Sequence, residues 1–575
     1  MKERLIKFIG ENNLLAFNKY KSQISNSQNS IYKTRDAKAI HNKVLSKISQ
    51  YFIFPDTSNL FNEFSFTRDE NEILMRQEFF KKIKEIGKKD NSFLRELNLP
   101  RQNWKPKYDI VVVTENYETF NKLKQLGCPV QLIVSENDLS LLESKDLVQV
   151  IDCDEYGMAL ESLPQAIFFN NIEDIYLERY LEALSGWKNN IEILKNNQLS
   201  QNLLSITQKL SSLLPLIESK DSLKMDRDSI EKKVEEINFN VSERLKKLTI
   251  GGESLLAVLS KSVLPMELKQ IVRQEIISSQ IPSNVLIEEI PVKIFEEELD
   301  KLLSRQSFDE YSNIAEEIKR NSIQIKEIPK LIKELNEELI FFDFITGVSQ
   351  FLEKEMEFVS FSECLEISIS KNLFLENPKP ISFQLNPLAR CSILTGANSG
   401  GKTTLIEHII QLISLQQIGL PAYGKISLPI FTDVYYFAKN KGSLNKGAFE
   451  TLLTQMSEIK PGNKTLILAD EIESVTEPGV AGKIICATAE YYLRQGCFLV
   501  IATHLGFEIQ KTLPRGARID GIEAKGLTAE FELIVDHNPV LGRLANSTPE
   551  LIVEKMANTK SSPYFNFLNS SIKNR

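Results

Sequence analysis

The 575-residue sequence is short of several things, and each shortage excludes a class of protein. Cysteine occurs six times, at positions 128, 153, 364, 391, 486 and 497, with no C-x-x-C pair and no metal-ligand spacing. A disulfide framework is excluded. Several of these cysteines fall in apolar runs and read as reduced core residues of an intracellular protein. No apolar run approaches the ~20 residues that a membrane span needs, and no membrane partner is expected. There is no excess of basic charge either. A net charge of −8 argues against a globally basic nucleic-acid coat and leaves a local binding face open. What remains is ordinary for a globular protein, with 42% hydrophobic and 25% charged residues. The length is too great for one core, and about three or four domains are expected.

One stretch organises the rest. Ile393-Leu394-Thr395-Gly396-Ala397-Asn398-Ser399-Gly400-Gly401-Lys402-Thr403-Thr404 fits G-x-x-x-x-G-K-[ST] in full. An apolar, strand-like run from Cys391 to Leu394 precedes it. A helical run follows, with Leu405, Ile409, Leu412 and Ile413 at helical spacing. The glycines let the backbone curl so that successive N–H groups point inward, and the helix N-terminus adds positive partial charge. That pattern suits the phosphates of ATP. Lys402 would reach the β- and γ-phosphates, and the Thr403 hydroxyl would bind Mg²⁺. A chance match in a Gly-rich turn is the plain alternative; the strand before and the helix after favour the phosphate loop.

Two further strand ends add chemistry. Thr465-Leu466-Ile467-Leu468-Ala469-Asp470-Glu471 is an apolar run ending in two carboxylates, as expected of a buried parallel strand that delivers them to the sheet's carboxyl edge. Asp470 is suited to hold Mg²⁺, and Glu471 to orient and deprotonate an attacking water. Cys497-Phe498-Leu499-Val500-Ile501-Ala502 ends in Thr503-His504. His504 alone would read as an ordinary core or surface histidine. Beside the other two elements it reads as a γ-phosphate or water contact, and the three together describe an ATPase core.

The remaining regions are less explicit. Residues 1–50 carry ten Lys and Arg against three acids. They read equally as a phosphate-tracking arm or as a solvated, partly mobile N-terminus. Aromatics crowd residues 51–93, and core packing explains them better than stacking on bases. Residues 101–171 alternate strand and helix patterns (Tyr108–Thr114, Val130–Val134, Leu147–Ile151, Ala166–Phe169) and form a small α/β connector. Residues 172–371 are helical almost throughout. Two narrow stripes, Leu223 to Leu248 and Ile314 to Phe342, suggest long helices packed together, with a kink at Pro329 and an inserted tip at 253–310. Levers carrying an ATP-dependent change are one reading of them and a plain bundle is the other. The expected architecture is therefore multidomain α/β plus α: an N-terminal basic and Phe-rich region (1–100), the connector (101–171), a helical core with levers (172–371), a C-terminal P-loop, ABC-like ATPase domain (372–558) and a tail (559–575).

Within 390–510 the sequence resembles a known family. Thr395 to Thr404 resembles the T-G-[PA]-N-x-G-G-K-[ST]-T loop of the MutS family. Leu468-Ala469-Asp470-Glu471-Ile472 is similar to that family's apolar-D-E-I strand end, and Ala502-Thr503-His504 to its A-T-H. Upstream, the likeness is one of architecture. The resemblance implies a homodimer of DNA-binding Mg²⁺-ATPases with two composite ATP sites. It implies nucleotide contacts from Gly396, Ala397, Asn398, Ser399, Gly400, Gly401, Lys402, Thr403 and Thr404, metal contacts from Thr403 and Asp470, and catalytic roles for Glu471 and His504. The family's trans-acting S-T-[FS] segment corresponds to Gly447-Ala448-Phe449, where a glycine replaces the serine hydroxyl. Glu473 to Gly479 also depart from the family's Gly-rich, Arg-bearing turn.

Other departures bear on substrate. The mismatch-reading wedge motif F-x-E has only Phe61-Asn62-Glu63 as a formal match, and core packing explains that Phe better. Part of the inserted tip is acidic, and no nuclease-like domain is expected after the ATPase. The combination is similar to archaeal-type members lacking the mismatch-recognition domain, which implies a grip on branched or duplex DNA in repair or recombination. Two alternatives stay open: a mismatch sensor that reads mispairs through its first 100 residues, and a protein-directed, ABC/SMC-like ATPase adaptor.

Overall fold

Why the helix after the phosphate loop is apolar on more than one face becomes clear from what surrounds it. The computed structural model describes residues 1–17, 30–64, 67–102, 104–217, 227–246, 266–279, 281–396, 400–438, 446–471, 478–527, 533–535, 537–545, 549–560 and 562–573. They form two compact units, one made of Met1–Glu96 with Asn336–Arg575 and the other of Leu97–Leu335.

The first unit is built on a six-stranded sheet. Its order is Asp433–Phe437, Thr465–Asp470, Phe498–Ala502, Cys391–Gly396, Ala517–Ile522 and Val540–Leu541. Every pairing is parallel except the last. The first four of these strands are buried almost throughout, as strands covered on both faces must be. A smaller mixed sheet joins Ile381–Leu385, Leu365–Ser370, Lys425–Leu428 and Ser360–Phe361, antiparallel except for the last pairing.

Helix Lys402–Ile418 is buried on nearly all sides, with only Thr403, Thr404 and Glu407 outside its buried set. Helical spacing alone would leave one face solvated. The second face is covered by helices Arg35–Ser49 and Glu70–Ile86 from the N-terminal region. Several polar residues of this helix are bonded to the elements around it. Tyr32 Oη and Ser414 Oγ are 2.7 Å apart, the Arg76 guanidinium donates to the Gln417 carbonyl at 2.9 Å, and His408 Nε2 lies 2.9 Å from Ser370 Oγ. Burial pushes the His408 imidazole down to about 4, against the Gln411 hydrogen bond that opposes it. His41, on the covering helix, is likewise pushed down by burial to about 4.

The N-terminal region also extends the main sheet. Lys33 N–H donates to the Val434 carbonyl at 2.9 Å, and Val434 N–H to the Ile31 carbonyl at 2.8 Å, so residues 31–33 pair with the edge strand. This blunts an edge that would otherwise offer unpaired backbone groups. Residues 1–50 are thus neither a free arm nor a solvated tail over their described part. Lys2, Arg4, Lys7 and Lys33 are tied to Glu338, Glu63, Glu11 and Asp433. The Phe-rich stretch packs as core: Phe52, Phe61, Phe64 and Phe80 cluster with Phe344 at ring distances of 5.1–5.8 Å. Beside them, the Asp343 carboxylate accepts from Ile53 N–H, Phe54 N–H and Thr57 Oγ1 at 2.6–3.1 Å, and burial still pushes it up to about 6.

The second unit begins with a four-stranded parallel sheet, in the order Val130–Leu132, Ile110–Thr114, Leu147–Val150 and Ala166–Phe168. Helices follow. Two expectations need correction here. The stripe Ile230, Val234, Ile237 and Val241 packs against Val272, Ile276, Val285, Val292 and Leu299, which belong to the intervening region and not to 314–342. Pro329 does not kink a continuous helix. Separate helices end at Arg320 and Lys326, and a new one starts at Ile328, where proline costs nothing because first-turn N–H groups have no intrahelical acceptor. The expected limit of the tip at 310 falls inside helix Glu296–Arg320, and the expected tail contains helix Pro563–Lys573. Residues 253–265 of the tip lie outside the described residues.

Candidate nucleotide site

The carboxyl edge of the six-stranded sheet gathers the chemistry. Leu394, Ala502 and Asp470 lie side by side in register, so the chain leaves three neighbouring strands at one level. The next residues along are Thr395, Thr503 and Glu471. The strand ending in Thr503 lies between the strand of the phosphate loop and the strand of the two carboxylates, an order that spacing in the sequence does not reveal.

Glycine is required at two points. Gly396 has φ +131°, and a Cβ there would stand 2.3 Å from the Ile522 carbonyl oxygen on the neighbouring strand. Gly401 caps the helix in the left-handed region at φ +91°. The Lys402 side chain folds back across the loop, where its ammonium donates to the Gly396 carbonyl at 2.8 Å. Lys402 is only 3% exposed, so a buried positive charge is fixed at the turn. Thr403 Oγ1 donates to Asp470 Oδ2 at 2.6 Å, joining the helix start to the carboxylate strand. Thr404 is half-buried in the first helical turn.

Glu471 is one of the few non-glycine residues with positive φ, at +48°. Its N–H still donates to the Ala502 carbonyl at 2.9 Å, so the strand pairing persists while the backbone turns. Such a conformation costs of order 1 kcal/mol and marks sites where direction matters. It points the carboxylate to His504, whose Nε2 lies 2.8 Å from Glu471 Oε1. Glu471 is 9% exposed and the His504 side chain 40%, so the pair reaches from the protein towards solvent.

The structure brings Gly396, Gly400, Gly401, Lys402, Thr403, Asp470, Glu471 and His504 to this edge. Ala397, Asn398 and Ser399 lie outside the described residues, as do Asn445 and the turn 472–477. Gly447, Ala448 and Phe449 fall in helix Lys446–Ser457, whose side chains there are likewise outside the description. One residue escaped sequence reasoning. His537 Nδ1 stands 3.1 Å from the Gly400 carbonyl and 3.2 Å from where a Gly401 side chain would begin. It comes from a segment more than 130 residues later in the chain, with no motif around it.

The donor set suits magnesium and a polyphosphate. A hydroxyl and a carboxylate brought within one hydrogen bond are hard oxygen ligands, the type this cation takes. The glycine turn and the buried lysine supply the space and charge that phosphates require.

Comparison with known proteins bears on the whole chain. It is 29% identical over 567 residues to the DNA-binding protein MutS2 of Pyrococcus furiosus, covering 91% of this chain and 96% of that protein. It is 25% identical over 236 residues to the endonuclease MutS2 of Fusobacterium nucleatum, and 26% over 234 residues to the DNA mismatch repair protein MutS of Thermotoga maritima. Those two matches cover 38% of this chain but only 29% and 28% of the relatives' own lengths. No protein-family model matches the chain.

Proposed function

We propose, from the premise that this chain belongs to the MutS family, that it is a DNA-binding, dimeric Mg²⁺-ATPase whose nucleotide state controls its grip on branched or duplex DNA. The observation that carries the reading is the convergence of Lys402, Thr403, Asp470, Glu471 and His504 on one sheet edge beside a glycine turn. DNA as a partner rests on the Pyrococcus furiosus relative, which is named a DNA-binding protein and matches along nearly its whole length.

Each residue has a task in hydrolysis. The backbone N–H groups of the glycine turn and the Lys402 ammonium would bind the triphosphate and hold its γ-phosphoryl group in place. Magnesium, held through Thr403 and Asp470, would neutralise charge on the β- and γ-phosphates. Glu471 orients the attacking water and takes its proton. His504 Nε2 lies 2.8 Å from Glu471 Oε1 and, on this reading, orients that carboxylate and contacts the γ-phosphate. A partner copy would complete each site through the region of Gly447-Ala448-Phe449. Gly447 has no hydroxyl, so its backbone N–H is the group available for that contact. Closure of the two ATPase domains on ATP would then be transmitted to DNA.

A mismatch-reading role is disfavoured by Phe61. It is 4% exposed and packed among Phe52, Phe64 and Phe344, so it is not available to wedge between bases. The test is a gel-shift panel at fixed, stated salt, with and without a non-hydrolysable ATP analogue. Its substrates are plain duplex, mispaired duplex, four-way junction, fork and single strand. Preference for junction or fork is expected. Preference for the mispair would restore mismatch sensing, and no binding at all would move the assignment to a protein-directed ATPase.

A further inference from the structure

The second unit contains a cavity that the ATPase reading does not use. It measures about 330 Å³ and lies between the small parallel sheet and helix Glu296–Arg320, with Leu147, Ile167, Phe168, Ala315 and Ile318 among its apolar walls. A second hollow of about 280 Å³ shares Leu147, Ile167 and Ala315 with it and is bordered by Tyr108 and Tyr311. Glu178, the first residue of helix Glu178–Lys195, lines the larger cavity and is 2% exposed. Its Oε1 accepts from Tyr108 Oη, while its Oε2 is buried without a hydrogen-bond partner.

A buried carboxyl oxygen left unpaired costs roughly 1–3 kcal/mol or more, and a ligand group entering the cavity that Glu178 lines would relieve that cost. We propose that this cavity binds a free amino-substituted heteroaromatic base, or its nucleoside, with the amino group and adjacent ring nitrogen set against Glu178. Three features select that chemistry. Apolar Leu147, Ile167, Phe168 and Ile318 stand among polar lining residues such as Gln149 and Asn171, and Phe168 in the larger cavity offers an aromatic ring for a flat ligand, as Tyr311 does in the adjoining hollow. Burial pushes the Glu178 carboxyl up, towards its neutral form, despite the Tyr108 hydrogen bond and nearby Arg179 that oppose it. A neutral acid offers one O–H donor and an acceptor side by side, matching a ring nitrogen beside an amine, whereas a cation would require a buried charge pair with its desolvation cost. The two hollows are lined by Asp146, Asp174 and Glu316 with Lys319, and although Asp174 is tied to Lys326 the balance stays acidic, which disfavours a phosphate and hence a nucleotide within a strand.

The test uses the full chain and calorimetric titration with cytidine, since adenosine would also be drawn to the phosphate-loop site. Uridine, which replaces the amine and ring acceptor by a carbonyl and an N–H, should bind at least about tenfold more weakly. Glu178→Leu and Ala315→Trp should each weaken cytidine at least tenfold, the first by removing the acid and the second by filling the cavity. Glu178→Gln keeps a donor beside an acceptor and should retain binding. Ala315→Trp leaves the Glu178–Tyr108 pair in place, so it reports on the site even where Glu178→Leu fails to fold. Equal binding of uridine, or no cytidine binding to the wild type, would overturn the proposal. So would displacement of cytidine by spermidine together with loss in Glu178→Gln, which would identify an aliphatic ammonium ligand. Tighter binding of a short dC oligomer than of cytidine would overturn the assignment to a free base. None of these outcomes depends on ATP hydrolysis.

Discussion

Replacing Glu471 by Gln isolates one atom's role in the proposed reaction. The two side chains have the same shape, and the backbone at Glu471 is held by its N–H donation to Ala502 and by strand pairing at Asp470, so neither the fold nor the turn should change. The amide can still meet His504 Nε2, which lies 2.8 Å from the carboxylate oxygen. Lys402 and Thr403 are untouched, and ATP affinity should therefore stay within about twofold. What is lost is the proton acceptor. General-base catalysis contributes about 10²–10⁴-fold, or about 3–5.5 kcal/mol of barrier at 1.36 kcal/mol per decade. The assay is single-turnover phosphate release at saturating ATP, paired with equilibrium binding of a fluorescent ATP analogue. Turnover at the wild-type rate with binding intact would refute the assignment of Glu471 as base. Loss of binding in step with turnover would mean that Glu471 positions the nucleotide instead.

Four other outcomes are expected. Lys402→Ala should weaken nucleotide binding at least tenfold in the same fluorescence titration, because no second buried cation replaces it among the described residues of the turn. Gly396→Ala should lower stability by about 2 kcal/mol or more, since its Cβ would meet the Ile522 carbonyl at 2.3 Å at a φ that side chains avoid; denaturant melts read this directly. Asp343→Asn turns an N–H towards the donors of Ile53, Phe54 or Thr57 and should cost about 3 kcal/mol by the same measurement. The first unit should also be acid-labile. His41 and His408 are lowered to about 4, so their contribution is present above pH 6.5 and is lost as pH falls through 4, at about 3 kcal/mol each. Asp343 acts in the opposite sense, because its raised value of about 6 favours folding at low pH and is lost as pH rises through 6. The two histidines outweigh it, so urea midpoints should fall between pH 6.5 and 4, and His408→Gln should flatten that fall.

Local chemistry decided much of this protein. A glycine turn between a strand and a helix can be recognised from residue order alone, because the need for positive φ at Gly396 and Gly401 and for a lysine beside them is a property of neighbouring residues. Alternation and apolar runs likewise announced the strands ending in Asp470 and Ala502 and the four strands of the smaller parallel sheet. Only tertiary structure decided which strands are neighbours. The strand of Thr503 lies between the loop and the carboxylates, and that order brings His504 to Glu471. The same holds for the first 96 residues. The basic composition of residues 1–50 left a nucleic-acid arm and a solvated N-terminus equally open, yet described parts of the region cover the phosphate-loop helix and pair with the sheet edge at Val434. Ion pairs such as Lys33 with Asp433 absorb part of that charge. His537 reaches Gly400 across a long stretch of chain. Such contacts join residues hundreds of positions apart, and periodicity records which side of an element is apolar but not what will cover it.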